Sequence, residues 1–356
     1  MTFKRLRGAS LTFLLPAMAL FPTVRSALAD LPYQKIEWPS DDKPHLGDPQ
    51  VVTEWWYYTG KLTAVKGEQI KHFSYYLTAQ YLRDINGNTP TVYAQVTDIE
   101  DKKVYGNTFQ PGDAKIASDT LRLTSKDFGL EADNGKYHLR LATSAQGTAI
   151  SFNLVLTPKK APLLIGPNPS QRGLVTMGNN TNSYYYSITR LQTEGFIQIG
   201  GEKFTIDPDT RLSRSWMDHQ WGDFSIAQVL KTNPWIWMAI QLDDGTDMNV
   251  GEFVSPETGK PNLGNPLANI SLPDGAAQYK PAAMIPGPEY EAGYPLGYTL
   301  QIEDRSYRMD SIVPNQNTNE VWMGIMSVNG QDVRKPNASF ATVETTIPIQ
   351  QQLQGK

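Results

Sequence analysis

The chain has 356 residues, a formal net charge of −4 at pH 7, 40% apolar and 19% charged residues, and no cysteine. That composition excludes a disulfide-stapled scaffold, a cysteine-ligated zinc or iron–sulfur site and a cysteine nucleophile. The length suits two domains or one large β domain, at roughly 100–200 residues per domain, and can bury a core without covalent staples.

Residues 1–29 read as a signal peptide. Lys4, Arg5 and Arg7 precede an almost wholly apolar stretch from Leu11 to Phe21, and Ala27-Leu28-Ala29 places small residues before a cleavage point at Asp30. That order is the secretory pattern, and the apolar run is about half the ~20 residues a spanning helix needs. Cleavage removes four basic residues and no acid, taking the net charge from −4 to about −8. An exported acidic chain without a basic run is expected in the periplasm or outside the cell. It is expected to bind no nucleic acid and to keep no stable membrane insertion after cleavage.

The mature chain reads as strands and turns. Trp55–Thr59 and His72–Thr78 flank a turn at Lys66-Gly67, and the cadence continues at Thr91–Thr97, Leu121–Leu123, Tyr137–Ala142 and Ala149–Leu156. Aromatic and β-branched runs bounded by Asn-Gly and Asp-Gly turns are the strand signature. Residues 158–182 are rich in Pro, Gly and Asn, as a long connection or a lid would be. Strands resume at Ser183–Arg190 and Gly195–Ile199, and the turn-like Ile206-Asp207-Pro208-Asp209 suggests a boundary. The expectation is an all-β protein with domains at 30–205 and 206–356, and with short helices only at Asp209–Arg214 or Asn265–Ile270.

All eight tryptophans fall within 38–56, within 216–237 or at 322. Clustered large rings imply a shared core or a shared pocket wall. In Trp216-Met217-Asp218-His219-Gln220-Trp221-Gly222, strand alternation puts His219 and Trp221 on one side and Asp218 and Gln220 on the other. A histidine beside a tryptophan suits a proton donor with a cation-stabilising wall, and equally a structural histidine satisfied by backbone. Trp235, Trp237, Gln241 and Asp243 share a face of the next strand, an aromatic wall with a polar rim, unless Asp243 simply begins the Asp-Asp-Gly turn. Glu54 shares a face with Trp56, opposite Trp55 and Tyr57; among aromatics its pKa would rise, as a general acid requires. No Gly-x-Ser-x-Gly elbow, Walker loop or dinucleotide fingerprint is present. The four histidines lack metal-ligand spacing in sequence, so neither a metal nor a cofactor is expected.

Glu54-Trp55-Trp56-Tyr57-Tyr58-Thr59-Gly60, Trp216 to Gly222 and Ile240-Gln241-Leu242-Asp243-Asp244-Gly245 together resemble the carotenoid 1,2-hydratase (hydroxyneurosporene synthase) family and its secreted lipocalin-like relatives, the "predicted secreted hydrolases". The resemblance implies two tandem lipocalin-like β domains with a hydrophobic site at or near their interface. It implies cofactor-independent chemistry on an unsaturated isoprenoid- or polyketide-like small molecule, by hydration, cyclisation or isomerisation. His219, Trp221 and Asp243 match positions implicated in the hydratases, whose pattern has a Tyr where this chain has Gln241. The family's C-terminal strands carry an acid where this chain has Met323, and aromatics that Ser339 to Thr345 lack. The candidate catalytic set is thus Asp218, His219, Trp221, Asp243 and Glu54, with Trp55, Trp56, Tyr57, Trp235, Trp237 and Gln241 binding substrate. A carrier of a lipid or pigment, and a secreted hydrolase, stand as alternatives.

Overall fold

The computed structural model describes residues 33–348 except 88, 265, 319 and 320, so the expected signal peptide lies outside the described residues. Strands β1 (Thr53–Lys66), β2 (Gln69–Leu82), β3 (Thr91–Asp98), β4 (Lys103–Phe109), β5 (Lys115–Ile116), β6 (Arg122–Thr124) and β7 (Phe128–Asp133) begin a single antiparallel sheet. Strands β8 (Lys136–Ala145), β9 (Thr148–Pro158), β10 (Leu163–Leu164), β11 (Leu174–Gly178), β12 (Thr181–Ile199), β13 (Glu202–Ile206) and β14 (Arg214–Gly222) complete it. The sheet curls around its own apolar core, and Asn107 of β4 donates to Thr143 Oγ1 of β8 at 2.7 Å where the two arms meet.

The second unit is a closed barrel of β15 (Trp235–Gln241), β16 (Asp247–Phe253), β17 (Leu267–Ser271), β18 (Ala277–Pro286), β21 (Gly297–Ile302), β22 (Arg305–Ser311), β23 (Trp322–Val328) and β24 (Phe340–Thr345). A small hairpin, β19 (Tyr290–Glu291) and β20 (Tyr294–Pro295), interrupts it. Closure leaves the barrel without a free edge, since β24 pairs back onto β15. The all-β expectation holds, with two lipocalin-like units.

The expected division after residue 205 does not match the strand pairing. β14 lies between β1 and β12, so the first sheet runs to Gly222 and the barrel begins at Trp235. Between them sits the helix Ile226–Thr232; the short helices expected at 209–214 and 265–270 are replaced by turns and by β17.

Sequence alternation explains how the units meet. On β1, Trp56, Tyr58, Leu62 and Ala64 enter the first core, while Trp55 and Tyr57 join aromatic clusters with barrel residues. All nine residues of β14 are buried, for the same reason. A sheet with one face solvated would show polar residues on every second position; here both faces are covered. Gly60 and Gly222 permit this packing: a Cβ on Gly60 would sit 2.6 Å from Ser215 Oγ, and one on Gly222 2.2 Å from Asn182 O.

Polar bonds fix the register between the units. Lys61 Nζ donates to Val333 O at 2.9 Å, Arg214 Nη2 to Ala338 O at 2.6 Å and Gln241 Nε2 to Thr189 O at 2.6 Å. Asp247 of the barrel is wholly buried and receives Arg190 at 2.6 Å and Lys160 at 2.7 Å from the first unit and its connection.

Candidate active site between the two units

The residues of β1, β12 and β14 that point away from the first core meet those of β15, β16 and β24 that point away from the barrel core. A cavity of about 490 Å³ opens there, walled by Trp55, Tyr57, Tyr76, Trp235, Trp237 and Phe253. Trp55 and Trp235 stack across it at 6.5 Å, and the Tyr57 ring meets the Trp237 ring edge-on at 4.9 Å. Rings of this kind bury 150–250 Å² each, about 4–6 kcal/mol apiece at ~25 cal/mol/Å² before entropy is subtracted. The same faces stabilise an adjacent cation.

Asp218 is the polar centre. Register places it opposite Tyr57 of β1 and Ser187 of β12. It is 3% exposed and accepts three hydrogen bonds, from Ser187 Oγ at 2.5 Å, Tyr185 OH at 2.7 Å and Trp216 Nε1 at 2.7 Å. Burial pushes its pKa up to about 7, outweighing those three donors. Tyr185 OH in turn receives Trp237 Nε1 at 2.9 Å and Asn249 Nδ2 at 2.7 Å. With two donors aimed at its oxygen, the phenol must direct its own proton to Asp218. When Asp218 is protonated, Tyr185 can accept from it only as Asn249 Nδ2 shifts its bond to Ser187 Oγ, 3.4 Å away, and the Tyr185 proton then turns toward the cavity. Indole nitrogen cannot accept, so the reversal can run only through Tyr185 or Ser187.

Two further carboxyls line the cavity from the barrel side. Glu344 accepts from Trp235 Nε1 at 3.0 Å; burial raises its pKa to about 7 against that bond, with the nearby Asp218 charge adding to the rise. Glu252 is 6% exposed and accepts no hydrogen bond from the described residues, and burial alone raises it to about 7.

The opposite face of β14 builds a different cluster. His219 Nε2 and His45 Nδ1 each lie 2.9 Å from Glu54 Oε1, and the His45 backbone N–H donates to both Glu54 oxygens. Trp221 stacks on His45 at 3.9 Å and Trp56 on His219 at 4.7 Å. Burial would raise the Glu54 pKa, but the two imidazoles outweigh it and hold the carboxyl below its usual range. Burial keeps His219 below its ordinary value. The Nδ1 of His219 faces Tyr186 OH at 3.3 Å, and that hydroxyl donates to Asp42. The donor atoms of His45, Glu54 and His219 lie within 4.8 Å of one another. Residues this far apart in sequence showed no metal spacing, and the fold alone gathers them.

Of the sequence candidates, the structure brings Asp218, Trp55, Tyr57, Trp235 and Trp237 to the cavity. Glu54, Trp56, His219 and Trp221 lie together within the first unit. Gln241 clamps the interface through Thr189 O and Ser215 O. Asp243 lies past the end of β15, exposed in the turn, and accepts from Gln331 Nε2 at 2.9 Å. The alternation that aligned it with Trp237 stops at Gln241, where the strand ends. Sequence reasoning missed Tyr185, Ser187, Asn249, Glu252 and Glu344. The last two carried a readable signal, a carboxylate set among apolar strand residues. Among the described residues no helix is long and apolar enough to cross a membrane.

The dehydratase asqC of Emericella nidulans is 24% identical over 316 residues, 81% of this chain and 84% of that protein. The crystal structure of an AttH candidate from Nitrosomonas europaea superposes with a TM-score of 0.72 at 18% identity, covering 90% of this chain and 100% of that one. Kievitone hydratase from Nectria haematococca gives 0.66 at 17% identity, covering 87% and 92%. These superpositions show a shared fold. Residues 30–337 match the AttH-like family, and the chain belongs to that family.

Proposed function

We propose that this protein is an exported enzyme that adds water to, or removes it from, a hydrophobic unsaturated small molecule held between its two units. The observation that carries the reading is Asp218, a protonatable carboxyl wired through Tyr185 to an aromatic cavity. Two relatives at low identity bear the names dehydratase and hydratase, the two directions of one reaction. The basic–apolar–small order of residues 1–29 supports export.

In the addition direction, the Tyr185 O–H proton passes to one alkene carbon as the π pair forms the C–H bond. The Asp218 proton moves to the Tyr185 oxygen, leaving Asp218 as carboxylate. Tyr57, Trp55 and Trp237 face the positive charge on the second carbon. A water oxygen bonds to that carbon and gives its extra proton to ionised Glu344, which returns it to Asp218 through solvent before the next turnover. Dehydration runs the same steps backwards. With pKa values near 7, both carboxyls populate both states near neutral pH, which general acid–base work requires. The same protonation with no water in reach gives cyclisation or isomerisation.

The test is incubation with prenylated phenols and isoprenoid alkenes in heavy-oxygen water, read by mass spectrometry. The expected result is one heavy oxygen per product for the wild type, and a loss of at least 100-fold in Asp218→Asn. Binding without any conversion across the panel would favour a carrier.

A further inference from the structure

Glu252 has no part in the proton path just described. On β16, Met248, Val250 and Glu252 share the face turned into the barrel, and Met248 and Val250 belong to its core. Asn249, which holds Tyr185, is on the other face. Glu252 lies three positions beyond Asn249, about 10 Å along a strand rising ~3.3 Å per residue. Both line the one cavity, which therefore runs from the Asp218–Tyr185 end to the mouth of the barrel.

The wall between the two ends is apolar and open. Ile236 pairs directly opposite Glu252, and Trp237 opposite Gly251. Gly251 also lines the cavity, and a Cβ placed on it would meet nothing within 4 Å. The missing side chain leaves a passage at that point. At the far end, a carboxyl that is 6% exposed and has no partner among the described residues needs one from whatever fills the cavity.

We infer that Glu252 is the specificity anchor of this cavity, accepting a hydrogen bond from a hydroxyl group at the end of the ligand remote from its reacting carbon. The substrate class is then an elongated hydrophobe with a hydroxyl at one end and the reacting double bond, or the departing water, further along. A carboxyl accepts from a hydroxyl whether protonated or ionised, so the preference persists across neutral pH. This inference rests on the reading of the cavity as a hydrophobe site, though not on the chemistry proposed at Asp218.

The experiment compares farnesol with farnesyl methyl ether, in which a methyl group replaces the donor hydrogen, using quenching of the cavity tryptophans in the full protein. The wild type is expected to bind farnesol at least tenfold more tightly than the ether. Glu252→Leu should weaken farnesol at least tenfold, leave the ether within twofold and melt no lower than the wild type, which separates lost recognition from lost fold. Glu252→Gln should keep most of the preference, and Gly251→Leu should weaken both probes together by filling the passage. Asp218→Asn should keep the full preference while losing turnover. Equal affinity of the wild type for both probes, binding of neither, or a preference surviving in Glu252→Leu would overturn the anchor. A preference that stands while no panel compound is converted would remove the proposed reaction and leave the anchor in place.

Discussion

The two faces of β14 carry two buried polar clusters with opposite electrostatic character. On one face Glu54 is matched by two imidazoles and a backbone N–H, and its pKa falls. On the other, Asp218 has three neutral donors and no cation, and its pKa climbs to about 7. Both carboxyls are deeply buried. Burial penalises the charged form equally in both places, so the difference comes from the partners. On the proposed reading the matched cluster is a structural tie within the first unit and the under-matched carboxyl beside the cavity is the proton reservoir, since shifted groups of that kind collect where chemistry is done.

The largest effect should come from breaking the proton-reservoir face. Asp218→Asn keeps an acceptor for Trp216 and Ser187 but turns an amide donor toward Tyr185, whose oxygen already accepts two bonds, so stability should fall by about 1–3 kcal/mol. General acid–base contributions run at about 10²–10⁴-fold, and kcat/KM should fall by that factor. Breaking the tie should do the reverse. His219→Leu leaves Glu54 buried with one imidazole fewer, and loss of a buried partner costs about 3–5 kcal/mol in denaturant unfolding. Turnover per folded molecule should change less than tenfold.

A smaller effect sharpens the direction of proton flow. In the addition direction Asp218 must be protonated and Glu344 ionised, both with a pKa of about 7, so kcat/KM should peak near pH 7 and fall with unit slope on either side. At pH 9 the rate should be about 25-fold below its maximum. Tyr185→Phe removes the relay and should lower that maximum about 10–100-fold, leaving Ser187 alone to reverse the hydrogen-bond order.

Glu252 supplies a weaker and independent check. Its folded pKa lies above the unfolded carboxylate value, so the folded state holds the extra proton between about pH 4.5 and 7. Stability should fall as pH rises through that window, by about 1–3 kcal/mol at 1.4 kcal/mol per unit. Glu252→Leu should remove this part of the slope in thermal melts across pH 4.5–8. Smallest of all is Asp243→Asn, which alters an exposed turn carboxylate bonded to Gln331 and should leave activity within twofold.

The all-β architecture was legible because aromatic and β-branched runs alternate with Asn-Gly and Asp-Gly turns. The alternation on β14 was equally plain and separated His219 from Asp218 correctly. It gave no means of telling which side meets a ligand, because both sides are apolar when both are buried. That distinction comes from β14 lying between β1 and β12, with the barrel laid across its outer face. Pairings spanning more than a hundred residues leave no local trace. Glu344 illustrates this: its carboxylate among apolar residues was readable, but its place at the cavity was not. Its strand looked like a departure from the family pattern, yet register sets it beside Trp237 and Met323 at the cavity. Asp243 lies away from the cavity for a local reason, since the Asp-Asp-Gly turn ends the strand before the alternation reaches it.

The most direct measurement is a crystal structure of the wild-type protein soaked with farnesol. The ligand is predicted between Trp55, Tyr57 and Trp237, with its chain passing Tyr185 and its hydroxyl on Glu252. Density inside the first unit against His45, His219 and Trp221, with the interface cavity empty, would contradict the account.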